Sequence, residues 1–334
     1  MAKAEEFREE ITSKIITVLE TGTAPWQQPW NGAEAPRNLI TKHEYNGINS
    51  VILSLAAMSM ETGKKDPRRA TYRQIEEYNG FYNTHCNQGQ QEEQQGLQEE
   101  HGQHNQREEQ QDRRQRGKRW HVKKGSKGTH VILWKPSVKT SEDGKTEITS
   151  VMQRIFTVFH ASQIEGIPEY QPPQINKFEA HEKAERIIRD SGAEVRFGGS
   201  EAFYRPSEDF IQMPVKEDFR SAEGYYSTFL HELVHFTGAE KRLNRIQRCS
   251  RFSTDYAFEE LVAEIGSMFV ASSAGIPQSE TEFQNHASYI ESWLNGLRSD
   301  TNYIFRAAAE ASKAANYLLR RETVQTQNLQ AETV

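Results

Sequence analysis

The chemistry most legible in this chain lies in His231, Glu232 and His235, a His-Glu-x-x-His pattern. Residues four apart share a helix face, so His231 and His235 present two imidazoles to one ion while Glu232 points toward a water beside it. Leu230, Leu233, Val234 and Phe236 would bury that helix, and histidines in a buried helix need partners of the kind a metal supplies. The pattern predicts a zinc hydrolase holding one Zn²⁺ per chain.

A catalytic zinc site needs a third protein ligand and an open position for water. Downstream, the apolar run 258–269 carries carboxylates that are otherwise out of place, and Glu260 and Glu264 fall on one helix face while Glu259 falls on another. Metal-bound histidines usually donate their second ring N–H to a carboxylate. Glu260 is therefore expected as third ligand and Glu264 as the partner of a ligating histidine, with the reverse assignment open. The arrangement resembles gluzincin metallopeptidases. His235 is followed by Thr237, Gly238 and Ala239, with no third histidine in metzincin spacing. With two imidazoles and a carboxylate, Zn²⁺ acidifies a water to about neutrality and polarises a carbonyl, and Glu232 takes the proton as general base. Amide hydrolysis of a protein or peptide is the expected reaction. Tyr225, Tyr226, Tyr256 and His286 are candidates for stabilising the oxyanion.

These residues need a scaffold, and 334 residues suffice for two domains, each with its own core. Hydrophobic content of 35% is low. Much of the deficit lies in 87–118, a Gln/Glu-rich stretch with Leu97 as its only large apolar side chain, read as a disordered insertion. Cys86 and Cys249 show neither disulfide nor ligand spacing. The charged opening and the lack of any run of transmembrane length predict a soluble, cytoplasmic protein without a membrane partner.

The net charge of −6 conceals a basic run from Arg113 to Lys135 that contains no acidic residue. It includes Trp120, a Lys123-Lys124-Gly125-Ser126-Lys127-Gly128 turn and the predicted strand His130–Lys135, with a partner strand over Met152–Phe159. Basic side chains that track phosphates beside aromatic faces that stack bases are what single-stranded nucleic acid requires. Arg37, Arg119, Lys123, Lys124 and Lys127 are the candidate phosphate contacts, and Trp26, Trp30 and Trp120 the candidate stacking faces. The competing role for the tryptophans is core packing.

The organisation read from the sequence is a first domain over 1–167, a Pro-rich linker over 168–174, a second domain over 175–320 and a polar tail over 321–334. In the second domain a helix near Phe178–Asp190 and three short strands precede the metal helix, with Phe210–Met213 expected at a sheet edge because Pro214 follows it. An extended substrate would pair with that edge.

Several of these stretches occur together: Pro25-Trp26, Pro29-Trp30, Tyr45-Asn46-Gly47-Ile48-Asn49, Val122–Gly128, Phe156–Phe159, His231–Gly238 and Glu259–Glu264. In combination the chain resembles the ArdC-type antirestriction proteins of conjugative plasmids and related mobile elements. The resemblance implies an α+β protein with two domains, a small mixed α/β single-stranded-DNA-binding domain and a zincin-like (gluzincin) metallopeptidase domain. It also implies protection of incoming DNA from host restriction. The insertion 87–118 departs from the family's pattern while leaving its motifs intact.

Overall fold

The computed structural model describes residues 2–22, 24, 34–58, 66–80, 119–140, 146–172, 177–245, 254–276 and 287–320. The insertion 87–118, Trp26, Trp30, His286, both cysteines and the tail 321–334 lie outside them. In chain order the elements begin α1 (Ala2–Glu20), β1 (Arg37–Asn38), α2 (Ile48–Met58), β2 (Arg68–Thr71), α3 (72–80) and β3 (His121–Val122). They continue β4 (Thr129–Thr140), β5 (Thr146–His160), β6 (Ile164–Glu165), α4 (Lys177–Ser191), β7 (Glu194–Phe197), β8 (Phe203–Arg205) and β9 (Phe210–Met213). Four helices follow: α5 (Ala222–Thr237), α6 (Thr254–Ala274), α7 (Ala287–Ser299) and α8 (Tyr303–Leu318).

Two compact units result: a smaller one of residues 36–44 and 60–172, and a larger one of 1–35, 45–59 and 173–334. The sequence reading placed a linker at 168–174 between two domains; in the structure α1 and α2 belong to the larger unit. Phe7, Ile11, Ile15 and Leu19 recur every fourth residue on α1 and are all buried, so the helix has one apolar stripe to cover. It covers that stripe by packing on α7, where Thr12 Oγ1 donates to the Thr301 carbonyl at 3.2 Å and Arg298 pairs with Glu20 at 2.6 Å. Gly22, at φ 78°, takes the left-handed conformation that ends the helix. The buried face of α2, including Val51, Ile52 and Leu55, packs on α8 in the same way.

In the smaller unit the sheet order is β1-β2-β5-β4, with β1 parallel to β2 and the other pairs antiparallel. The predicted basic-turn strand and its partner are realised as the long β4–β5 hairpin. Thr71 and Gln74 start α3 with a reciprocal cap: Gln74 N–H donates to Thr71 Oγ1 at 3.2 Å and Thr71 N–H to Gln74 Oε1 at 3.0 Å. The core comprises Leu39, Ala70, Ile75, Trp120 and Ile164.

In the larger unit a three-stranded sheet of order β7-β9-β8 packs on α5. Strand β9 pairs with β7 in parallel and with β8 antiparallel, so Phe210–Met213 is the central strand, contrary to the edge position expected. Pro214 lies one residue past its end, where its missing N–H costs the ladder nothing. Helix α5 starts at Ser221, whose Oγ accepts from Gly224 N–H at 3.0 Å, a cap worth about 1 kcal/mol. Gly266 brings α6 against it: a Cβ there would sit 3.0 and 3.1 Å from the Val234 methyls. Helix α6 also packs on the alanine-rich face of α8, including Ala307, Ala308 and Ala311, while the buried Trp293 of α7 donates from Nε1 to the Ala257 carbonyl at 2.8 Å. No helix among the described residues is long and apolar enough to cross a membrane.

Candidate metal centre

Close packing of α5 on α6 brings the sequence-predicted donors together. His231 and His235 project from α5 with their Nε2 atoms 3.1 Å apart. Glu260 of α6 approaches both, its Oε2 3.6 Å from His231 Nε2 and its Oε1 3.5 Å from His235 Nε2. Donors bonded about 2.0–2.1 Å from one tetrahedral ion lie about 3.4 Å from one another. The three residues are the group among the described residues able to hold a metal ion.

Charge points the same way. Burial disfavours a charged His231, yet hydrogen bonds to Glu260 and Glu264 outweigh it and push its pKa well above that of an ordinary imidazole. His235 is raised too, with Glu260 and Glu259 overcoming its burial. Burial would raise the Glu260 carboxyl, but His235 and His231 pull it down to about 2. The carboxylates around the two imidazoles thus favour positive charge at this position, which a divalent cation would also supply.

The outer nitrogens of the imidazoles are held by two further carboxylates. Glu264 Oε1 lies 3.3 Å from His231 Nδ1, and Glu260 is the carboxylate that faces both Nε2 atoms. Glu259 Oε1 lies 3.1 Å from His235 Nδ1. Sequence reading set Glu259 aside because it falls on another helix side. Arg245 engages it twice, Nε to Oε2 at 2.7 Å and Nη2 to Oε1 at 2.8 Å. Glu232 is buried, and its Oε2 accepts the Tyr204 backbone N–H of β8 at 2.7 Å. It is close enough to His231 to contribute to that residue's raised pKa.

Of the oxyanion candidates, Tyr256 hydrogen-bonds Glu260. Tyr226 OH donates instead to Glu185 at 2.9 Å, and Tyr225 is buried edge-on against Tyr226, Phe229 and Phe219.

Two family models match: "N-terminal domain of anti-restriction factor ArdC" over residues 5–159 and "Zincin-like metallopeptidase" over 182–310. The solved ArdC antirestriction protein of plasmid R388 is 32% identical over 94% of this chain and 97% of its own, with a TM-score of 0.66. The chain belongs to the ArdC-type antirestriction family. An ArdC crystal structure exists in metal-free form and another with Mn(II) bound. An uncharacterised protein of Sinorhizobium fredii is 31% identical, covering 94% of this chain and 91% of that protein. A DNA primase TraC of Escherichia coli is 35% identical over 98% of this chain but only 21% of its own length, and a second is 36% identical over 96% and 28%. The chain thus spans less than a third of either of those longer relatives.

Of the ArdC-type N-terminal motifs, Tyr45–Asn49 belongs to the larger unit, whereas Val122–Gly128 and Phe156–Phe159 lie in the smaller one. Arg119, Lys123, Lys124 and Lys127 are exposed there, and Arg37 is half-buried in β1. Lys123 Nζ donates to the Ser162 carbonyl at 2.8 Å, which aims one lysine of the turn. Gly128 lets the turn lie on β5: a Cβ would come within 2.4 Å of Thr157 Cγ2. Trp120 corrects the expectation of a stacking face. It is only 7% exposed, it stacks on Tyr78 at 3.7 Å, and Asn79 bonds both its backbone N–H and its carbonyl. Among the described residues of this unit, Tyr72 and Phe156 are exposed aromatics, and the sequence reading named neither as a stacking face because neither is a tryptophan beside the basic turn.

Proposed function

We propose that the larger unit is a zinc-dependent peptidase and that the smaller unit binds single-stranded DNA, the two together protecting a mobile element's incoming DNA from host restriction. The observation that carries the catalytic reading is the convergence of His231, His235 and Glu260 with Glu232 beside them. A divalent ion held by this donor set supplies Lewis acidity and a water acidified to about neutrality. The protein does the rest. The Tyr204 N–H fixes one oxygen of Glu232, which leaves Oε1 as the oxygen that takes a proton and returns it to the leaving amine. Glu264 and Glu259 hold the imidazoles with Nε2 free for coordination. A site that served only to bind metal would have no use for a carboxylate base beside an open position. In the smaller unit, the exposed Lys124 and Lys127 with Lys123 and Arg119 supply phosphate contacts.

The test is proteolysis of restriction-enzyme preparations by the full chain loaded with Zn²⁺, with and without single-stranded DNA. Cleavage by the wild type and none by Glu232→Gln supports the reading.

A second reading is favoured by the TraC matches, in which sequence like this forms part of longer proteins named DNA primases. There the chain is a DNA-binding shield or replication accessory with a non-catalytic metal site. Protection of transferred DNA that survives Glu232→Gln supports this second reading.

A further inference from the structure

We infer that Arg245 is a positioning residue for the metal centre, acting through Glu259 to set the orientation and tautomer of His235. The inference rests on the metal reading of His231, His235 and Glu260 and extends it to a residue outside both motif helices.

Glu259 and Glu260 are adjacent on α6, so their side chains diverge by about 100° around the helix. The His235 ring bridges that divergence. Its Nε2 faces Glu260 at 3.5 Å and its Nδ1 faces Glu259 at 3.1 Å. An ionised carboxylate can only accept, so a hydrogen bond at Nδ1 places the imidazole proton there and leaves the Nε2 lone pair for a metal.

Glu259 can do this only if its carboxylate stays in place, and it is buried. Arg245 holds it there. Its guanidinium grips the two carboxylate oxygens side-on in the planar fork geometry that lysine lacks. The same guanidinium donates to the Val234 carbonyl at 2.8 Å and to Thr237 Oγ1 at 3.3 Å, both in the last turn of α5. Its side chain is 5% exposed, and its backbone N–H is tied to the Gly238 carbonyl at 2.8 Å. Arg245 therefore fastens the end of the helix that carries His235 to the carboxylate that orients His235. His231 has a different arrangement, with Glu264 at its Nδ1.

The experiment measures the dissociation constant of Zn²⁺ by chelator competition on the full chain, alongside thermal unfolding of the metal-free protein. The variants are Arg245→Lys, which keeps the charge but not the fork, and Glu259→Gln, which keeps an acceptor but not the charge. Each is expected to weaken Zn²⁺ binding by about 10–100-fold. The double variant should be no weaker than the worse single, because both act through one chain of contacts. If metal-free stability falls while the folded protein binds Zn²⁺ as tightly as wild type, the pair is a structural salt bridge and the inference is overturned. Additive losses in the double variant would also overturn it. Failure of the wild type to bind Zn²⁺ through His231 and His235 would instead remove the underlying metal reading.

Discussion

Glu259 and Glu260 are neighbours in sequence and take opposite sides of one imidazole: Glu260 Oε1 lies 3.5 Å from His235 Nε2 and Glu259 Oε1 3.1 Å from His235 Nδ1. Consecutive carboxylates on one helix thus divide two tasks, facing the metal position and holding the ligand that binds there. The Glu260–Glu264 pair repeats this division around His231.

That division predicts different losses. Glu260→Gln removes a donor that faces both Nε2 atoms and should abolish stoichiometric Zn²⁺ retention after dialysis. Glu264→Gln should retain the ion with affinity weakened by about 10–100-fold. Metal analysis of the two variants checks this, and the opposite ranking would exchange their roles.

Much of this centre was legible because its signal is local. Helical spacing alone puts His231 and His235 on one face, and an apolar run makes Glu260 and Glu264 conspicuous. Glu259 was not legible, because its role depends on the far nitrogen of a ring contributed by another helix. Arg245 required the turn after α5 to fold back on its own last carbonyls, and no periodicity encodes that. Trp120 failed for a related reason: composition places tryptophans near lysines, but burial is decided by Tyr78 and Asn79, about forty residues earlier. The apolar stripe of α1 was plain, whereas its partner α7 lies nearly three hundred residues away.

A pH prediction follows from Asp209, which anchors the sheet to the turn after α5. Burial would raise its pKa, but hydrogen bonds from Arg242, Lys241 and Tyr204 hold the carboxyl well below the ordinary range. Because the folded pKa is depressed, the stabilisation is fully present above the unfolded value of about 3.9 and is lost as pH falls toward the folded one. Asp209→Asn should therefore lower the melting temperature at neutral pH, and the gap from wild type should narrow on acidification below about pH 4. Asparagine tolerates the positive φ of 55° at this position, so backbone strain does not confuse the comparison. A gap that widens in acid would contradict the assignment.

For the smaller unit, lysines and tryptophan should separate binding from folding. Replacing Lys123, Lys124 and Lys127 together by alanine should weaken single-stranded DNA binding and flatten its log–log salt dependence by about 2, the value for three lost single-strand phosphate contacts. Thermal stability should change little. Trp120→Ala should instead destabilise the unit by about 3–5 kcal/mol through the cavity it leaves. Salt titrations of binding and denaturant unfolding distinguish the two. A Trp120→Ala protein that folds normally and loses only DNA binding would restore the stacking role.

The central claim, that His231, His235 and Glu260 form one metal site with Glu232 as a base outside the ligand set, is tested most directly by metal stoichiometry. Wild type and Glu232→Gln, purified alike and dialysed against Zn²⁺ and then buffer, should each retain one ion per chain, and His231→Ala/His235→Ala should retain none. Stoichiometric Zn²⁺ in the double variant, or its loss in a folded Glu232→Gln protein, would contradict that claim.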